Sequence, residues 1–237
     1  MIESVTIGGG TALRPPAAGA VVLFGVGPPR PTADGRRRRL ERIVEDLSPA
    51  LQSVRWAQQV HGRGLVSIGE NDESTLLGCV GEADGLLTAA TGVGLLVWTA
   101  DCVPVALVGP RAVAMVHAGW RGAAAGIVDR AVRRLADAGC PASSLTAYLG
   151  PAISGPNYQV GPEVIEALGH SGVPDEEWRD GDRVDLRRFV HGQLDRLDVR
   201  RITAIGGCTF ASPELASYRR DGAAAGRQWS LVWRESA

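Results

Sequence analysis

The sequence predicts a single α+β domain built on a mixed, largely buried sheet flanked by helices. Residues 95–108 and 112–116 are almost continuously apolar, the pattern of strands covered on both faces. Helical and strand-like periodicities alternate without a strict βαβ rhythm, which disfavours a doubly wound parallel sheet. The chain has 237 residues, 45% hydrophobic and 22% charged, the composition of a soluble globular domain, and it shows no internal repeat.

Taken in order, residues 1–35 are rich in Gly and Pro and hold one strand-like run, Val21-Val22-Leu23-Phe24. A helix is expected next, because Leu40, Ile43, Val44 and Leu47 form an i, i+3, i+4, i+7 stripe. Its first turn carries Arg36 to Arg39, which reads either as a solvated face or as an anion contact. Strands are expected at 54–58, 64–68, 85–88, 95–99, 103–108 and 112–117, with Pro110-Arg111 turning the last pair. A helix is expected after Gly122, striped by Ile127, Val128, Ala131 and Leu135 and ending near Gly139. A strand at 146–149, a short helix at 163–168 and an acidic loop at 171–182 follow. Asp185 is placed to cap a helix whose apolar face is Leu186, Phe189, Val190, Leu194 and Leu197. Strands near 202–206 and 229–233 complete the chain.

Composition removes several chemistries. All 25 basic residues are arginine, so Schiff-base chemistry, a lysine-anchored pyridoxal cofactor and a Walker-type phosphate lysine are excluded. Anions must be held by Arg or backbone N–H groups. The net charge of −1 gives no global field toward nucleic acid or a membrane surface. No long apolar span or signal pattern is visible, and four cysteines do not suggest a disulfide framework, so the expectation is a cytoplasmic protein.

The chemistry concentrates in two runs, Thr99-Ala100-Asp101-Cys102-Val103-Pro104 and Val116-His117-Ala118-Gly119-Trp120-Arg121-Gly122. Each reads as a buried strand ending on a capable side chain. Cys102 alone reads as a small core hydrophobe, but Asp101 beside it suits a functional rim better, because adjacent strand residues face opposite ways. The Gly-rich turn after His117, with Arg121, forms a plausible anion cradle. His61, in Gln59-Val60-His61-Gly62, lies near another strand; His170 and His191 read as structural, and Cys79 and Cys140 as incidental. If His61, Cys102 and His117 converge, they form a His₂Cys site of the kind zinc accepts while keeping one position open. The same set suits copper. A complete multicopper oxidase, however, needs many more than the four histidines present. The Arg-rich segment Ser217-Tyr218-Arg219-Arg220-Asp221, with Gly226-Arg227, reads either as a surface loop or as the lining of an anion site. Metal-free alternatives stay open: a cysteine hydrolase with Cys102 as nucleophile and His117 as base, or a non-catalytic binding protein.

Together these blocks, with Ala83-Asp84-Gly85-Leu86-Leu87-Thr88, Leu149-Gly150-Pro151-Ala152-Ile153 and Tyr158-Gln159-Val160-Gly161, resemble the laccase-domain proteins. That family is also grouped as zinc-dependent purine nucleoside phosphorylases. The resemblance covers roughly residues 55–235 and rests on seven collinear motifs. It implies an α/β sandwich over residues 1–237, with 1–50 divergent, and one zinc per chain on His61, Cys102 and His117. It implies phosphorolysis of adenosine, inosine and methylthioadenosine, with adenosine deamination as a second activity and copper-dependent polyphenol oxidation as the older claim. The partners implied are a purine nucleoside and phosphate, with no nucleic acid or membrane. Asp84, Asp101 and Cys102 are the catalytic candidates, and Arg121, Arg219, Arg220 and Arg227 the substrate and phosphate candidates. The family's N-terminal Arg-Gly-Gly motif does not align onto Phe24-Gly25-Val26-Gly27-Pro28-Pro29-Arg30, and its role is not carried over to Arg30.

Overall fold

The computed structural model describes residues 1–26, 33–69 and 76–236. Two mixed sheets stack face to face. The first has seven strands in the order β1 (Glu3–Ile7), β2 (Gly10–Arg14), β3 (Ala20–Val26), β15 (Gln228–Arg234), β8 (Val93–Thr99), β4 (Ser53–Gln58) and β6 (Leu77–Glu82). The second has six, in the order β14 (Arg201–Ala204), β11 (Thr146–Leu149), β9 (Val103–Val108), β10 (Val113–Ala118), β7 (Gly85–Thr88) and β5 (Leu65–Ile68). A two-residue ladder joins β12 (Arg179–Asp180) to β13 (Arg183–Val184). The helices are α1 (Ala33–Leu47), α2 (Trp120–Ala124), α3 (Ile127–Asp137), α4 (Pro162–Gly169), α5 (Asp175–Trp178), α6 (Leu186–Arg196) and α7 (Tyr218–Asp221).

Strand alternation explains the continuous apolar runs. Val22, Phe24, Leu95 and Val97 of the first sheet meet Ala106, Val108, Val113 and Met115 of the second in the layer between them. The opposite face of the first sheet, with Val21, Leu23, Leu96 and Leu231, packs on Leu40, Ile43 and Val44 of α1. The opposite face of the second, with Val105, Leu107, Ala114 and Val116, packs on Val128, Ala131 and Leu135 of α3 and Phe189 and Val190 of α6. Both faces of the central strands are therefore dry, and each fully buried Leu or Val stabilises the fold by about 1.5–3 kcal/mol. Asp185 caps α6 as expected, accepting from the Arg188 N–H at 2.9 Å. Among the described residues no helix is long and apolar enough to cross a membrane.

Several elements differ from expectation. The N-terminal stretch holds an antiparallel hairpin, β1–β2, because Gly8 and Gly9 adopt φ of 61° and 69° and close a tight turn. Strand β6, an edge strand carrying two glycines, is also additional. The helix expected after Gly122 begins earlier, at Trp120, and is broken at Gly126 into α2 and α3. The acidic stretch at 171–182 contains α5, whose Trp178 is buried edge-on against Phe189 at 5.5 Å. Arg30 lies outside the described residues.

Candidate metal centre and its cleft

Three chain segments at one end of the sandwich build the site. After β8 the chain leaves the first sheet and enters the second at β9, using only residues 100–102. Asp101 takes a left-handed φ of 88° in this turn, and Cys102 follows it. His117 sits near the end of β10, directly opposite Pro104 of β9. His61 follows β4 of the first sheet, also left-handed at φ 59°. One donor atom from each of His61, Cys102 and His117 lies within 4.8 Å of the others.

Asp84, fully buried, organises both imidazoles. Its Oδ1 lies 2.8 Å from His117 Nδ1 and accepts the His61 backbone N–H at 2.9 Å. Its Oδ2 accepts the Gly62 N–H at 2.7 Å and that of Val60 at 3.3 Å. The segments that carry His61 and His117 thus hang on one carboxylate, which leaves His117 Nε2 available as a donor. Burial alone would raise the Asp84 carboxyl, but the His117 hydrogen bond and these N–H donors hold it below the usual range. Burial also pushes the Cys102 thiol up, yet His117 and His61 outweigh it and bring it down to about 6. Burial lowers His117, and the adjacent thiolate and Asp84 carry it up to about 9. The group favours a thiolate, the form a metal requires.

The donor set fits zinc: one thiolate and two imidazoles, with the carboxylate–histidine support that such centres use. Gly119 leaves the room for an ion. A Cβ there would lie 3.0 Å from His61 Cδ2 and 3.2 Å from Cys102 Sγ. Gly122 permits the approach of α2, since a Cβ at that position would meet the Gly62 carbonyl oxygen at 2.6 Å.

These residues open into a cleft of about 890 Å³. Arg121, Arg219 and Arg227 line it. The Arg121 guanidinium lies 4.2 Å from the Trp120 ring centroid, and that of Arg219 lies 5.1 Å from the ring of Tyr158. Arg227 sits 6.0 Å from the ring of Tyr218. Arg220 is a correction: it does not line the cleft. Its guanidinium instead donates to the carbonyls of Thr209, Phe210, Ser212 and Leu215 and pairs with Asp221. Consecutive residues in a helical turn point about 100° apart, so Arg219 and Arg220 divide between the cleft and the loop. Asp101 borders the cleft, but its carboxylate is engaged elsewhere: Oδ1 accepts from Thr209 Oγ1 at 2.6 Å and Oδ2 from the Arg219 N–H at 2.7 Å. His170 and His191 are exposed outside the cleft, Cys79 is exposed and Cys140 is buried.

Sequence reasoning missed the aromatic wall of Trp56 and Trp98; Arg37, from the run read as a solvated face or an anion contact, also lines the cleft. Sequence reasoning also missed the role of Gln59. That side chain donates to the Trp98 carbonyl at 2.7 Å and accepts the Trp98 N–H at 2.8 Å, where the β4–β8 ladder has ended. The available signal was position: both tryptophans stand near the C-terminal ends of strands that lead into a ligand, His61 or Cys102.

The fold and the His₂Cys cleft together define a mixed α/β sandwich protein with a candidate metal centre at one end. Residues 33–235 match the family described as multi-copper polyphenol oxidoreductase laccase, and the chain belongs to that family. A Mycobacterium tuberculosis protein named purine nucleoside phosphorylase is 42% identical over 188 residues, covering 77% of this chain and 72% of its own. A Streptomyces griseus protein of the same name is 37% identical over 213 residues, covering 86% and 82%. The crystal structure of YlmD from Geobacillus stearothermophilus superposes with a TM-score of 0.82 at 27% identity, covering 95% of this chain and 96% of that one.

Proposed function

We propose that this chain is a purine nucleoside phosphorylase whose cleft holds one zinc ion on His61, Cys102 and His117. One observation carries the reading. A single cleft joins the metal-ligating group to flat aromatic rings and to guanidinium groups, which suit a purine and an oxyanion side by side. Relatives bearing that name cover most of the chain.

In phosphorolysis a phosphate oxygen bonds to the anomeric carbon while the glycosidic C–N bond breaks. The purine leaves with the bonding electrons and acquires a proton. Trp56, Trp98 and Tyr158 supply faces for the base. Arg121, Arg219 and Arg227 offer fork-shaped donors for phosphate and for its charge in the transition state. Tyr158 keeps its proton at neutral pH: burial, with Cys102 adding to it, pushes the phenol up to about 12, so it serves as a donor. Asp84 holds His117 and the His61 loop in place. Zinc, when bound, supplies Lewis acidity at the site. Adenosine deamination is a second reaction proposed for the same cleft, detected as ammonia released without phosphate.

The test is base release from inosine and adenosine with and without phosphate. Hypoxanthine or adenine, together with ribose 1-phosphate, should appear only when phosphate is present. Arg121→Gln should raise the KM for phosphate at least about tenfold, as expected for one lost charge-assisted contact. No phosphate-dependent cleavage of any purine nucleoside by zinc-loaded protein sinks the proposal.

A second reading has its own observation, the relay of Cys102, His117 and Asp84. A cysteine hydrolase of this kind would be abolished by alkylation of Cys102 and unaffected by chelators. The convergence of His61 on the same sulfur favours the metal, because a nucleophile–base pair has no use for a second imidazole. Copper oxidation would require more than one copper per chain; among the described residues one His/Cys group converges.

A further inference from the structure

We propose that Asp101 is a positioning residue that sets the Arg219 guanidinium for an anion in the cleft, rather than a group that moves a proton. The inference deepens the proposed function and rests on it for the identity of the anion as phosphate.

Asp101 lies between the two sheets, one residue before Cys102. Three contacts tie it to distant chain. Its backbone carbonyl accepts the Ile153 N–H at 3.0 Å. Its Oδ1 accepts from the Thr209 hydroxyl at 2.6 Å, and its Oδ2 accepts the Arg219 N–H at 2.7 Å. The carboxylate therefore joins both ends of the strap formed by residues 209–219. Arg220 knots that strap from within through four carbonyls. Arg219 is held at its backbone by Asp101 and at its Nη1 by the Gln159 carbonyl at 2.7 Å, with its guanidinium over Tyr158. Arg219 borders the cleft. Both Asp101 oxygens are engaged with donors of the strap, and its carboxylate is not part of the His61, Cys102 and His117 group. The arrangement can transmit position from the carboxylate to Arg219.

The left-handed backbone at Asp101 offers a clean experiment. Asp101→Gly keeps φ at 88° without strain and removes the carboxylate. Asp101→Asn keeps an oxygen for the Arg219 N–H and an amide that donates to Thr209 Oγ1. Inorganic phosphate is titrated calorimetrically into the zinc-loaded protein, and the kcat and KM for phosphate are measured with inosine. Asp101→Gly and Arg219→Gln should each weaken phosphate binding about tenfold, the usual effect of losing one charge-assisted contact. The double variant should bind no more weakly than Arg219→Gln alone, because the two changes remove one device. Asp101→Asn should restore affinity to within about threefold of the natural protein. Should Asp101→Gly fail to fold, Thr209→Val releases half the clamp, and a partial loss of phosphate affinity is expected from it.

Unchanged phosphate affinity in Asp101→Gly, or in Thr209→Val if that variant must serve, overturns the proposal. So does an Asp101→Asn variant that loses kcat as fully as Asp101→Gly, since only a proton-transfer role predicts that. Arg219-dependent phosphate binding without any phosphorolysis would sink the functional reading and leave this one intact. Absence of Arg219-dependent binding in the natural protein would sink this one alone.

Discussion

Asp84 shows how much one side chain determines here. Its carboxylate accepts from the imidazole of one ligand and from the backbone of the other, so both histidines lose their reference point together if it is changed. Asp84→Asn keeps the size but leaves only one oxygen for several donors, and its amide faces N–H groups that cannot accept. Zinc affinity should fall about 10- to 100-fold, as is usual when such a supporting carboxylate is removed, measured by competition with a chromophoric chelator. The metal-free protein gives a second readout. The thiol of Cys102 sits near 6 because His117 and His61 oppose its burial, and His117 is held as a cation partly by Asp84. Iodoacetamide should therefore react with Cys102 at a rate that drops as pH falls through about 6, when the thiolate takes up its proton. In Asp84→Asn that midpoint should move upward, because a less basic His117 stabilises the thiolate less. An unchanged midpoint would remove Asp84 from the network.

At the scale of elements, the close approach of α2 to the 60–62 loop brings His61 to the centre. Gly122→Ala puts a Cβ 2.6 Å from the Gly62 carbonyl oxygen, and backbone must yield. The cost should be about 1–3 kcal/mol by thermal or denaturant unfolding, with zinc affinity reduced on the order of tenfold because His61 shifts. Equal zinc affinity would mean the loop accommodates the methyl without moving its ligand. The sequence shows the origin of such elements unevenly. Strands β7, β9 and β11 were legible to the residue because apolar runs end at Gly, Pro or polar neighbours. The β1–β2 hairpin was not, because a glycine triplet in a Gly- and Pro-rich stretch does not reveal its turn until its φ values are known. Strand β6 was hidden by its glycines and its edge position. The three candidate donors, His61, Cys102 and His117, were visible as chemistry at strand ends, but their convergence depends on non-local pairing. The sequence could not show that Arg220 turns from the cleft, or that Asp101 reaches Thr209 and the Arg219 backbone across more than a hundred residues.

Across the whole molecule, the candidate centre is also a cross-link. His61 follows the first sheet, His117 belongs to the second, and Cys102 lies on the chain passing between them. The two sheets otherwise meet at their facing apolar surfaces and, at this end, through the hydrogen bonds of Asp84 to the 60–62 loop. An ion held by all three ligands would bind only the native arrangement with full affinity, so its binding free energy adds to stability through mass action. At free zinc about a thousandfold above the dissociation constant, the gain is about 4 kcal/mol. For a domain of this size that corresponds to a rise in Tm of roughly 8–16 °C. Differential scanning calorimetry on chelator-treated and zinc-loaded protein measures it. Cys102→Ala should remove most of the shift, read as the difference between its own zinc-loaded and chelator-treated melts, because the substitution also takes the thiolate from the buried His117. An equal shift in Cys102→Ala would place the stabilising ion elsewhere. No shift in the natural protein would mean that the His₂Cys group does not staple the sheets, and the Cys102–His117–Asp84 relay would then become the better account of the site.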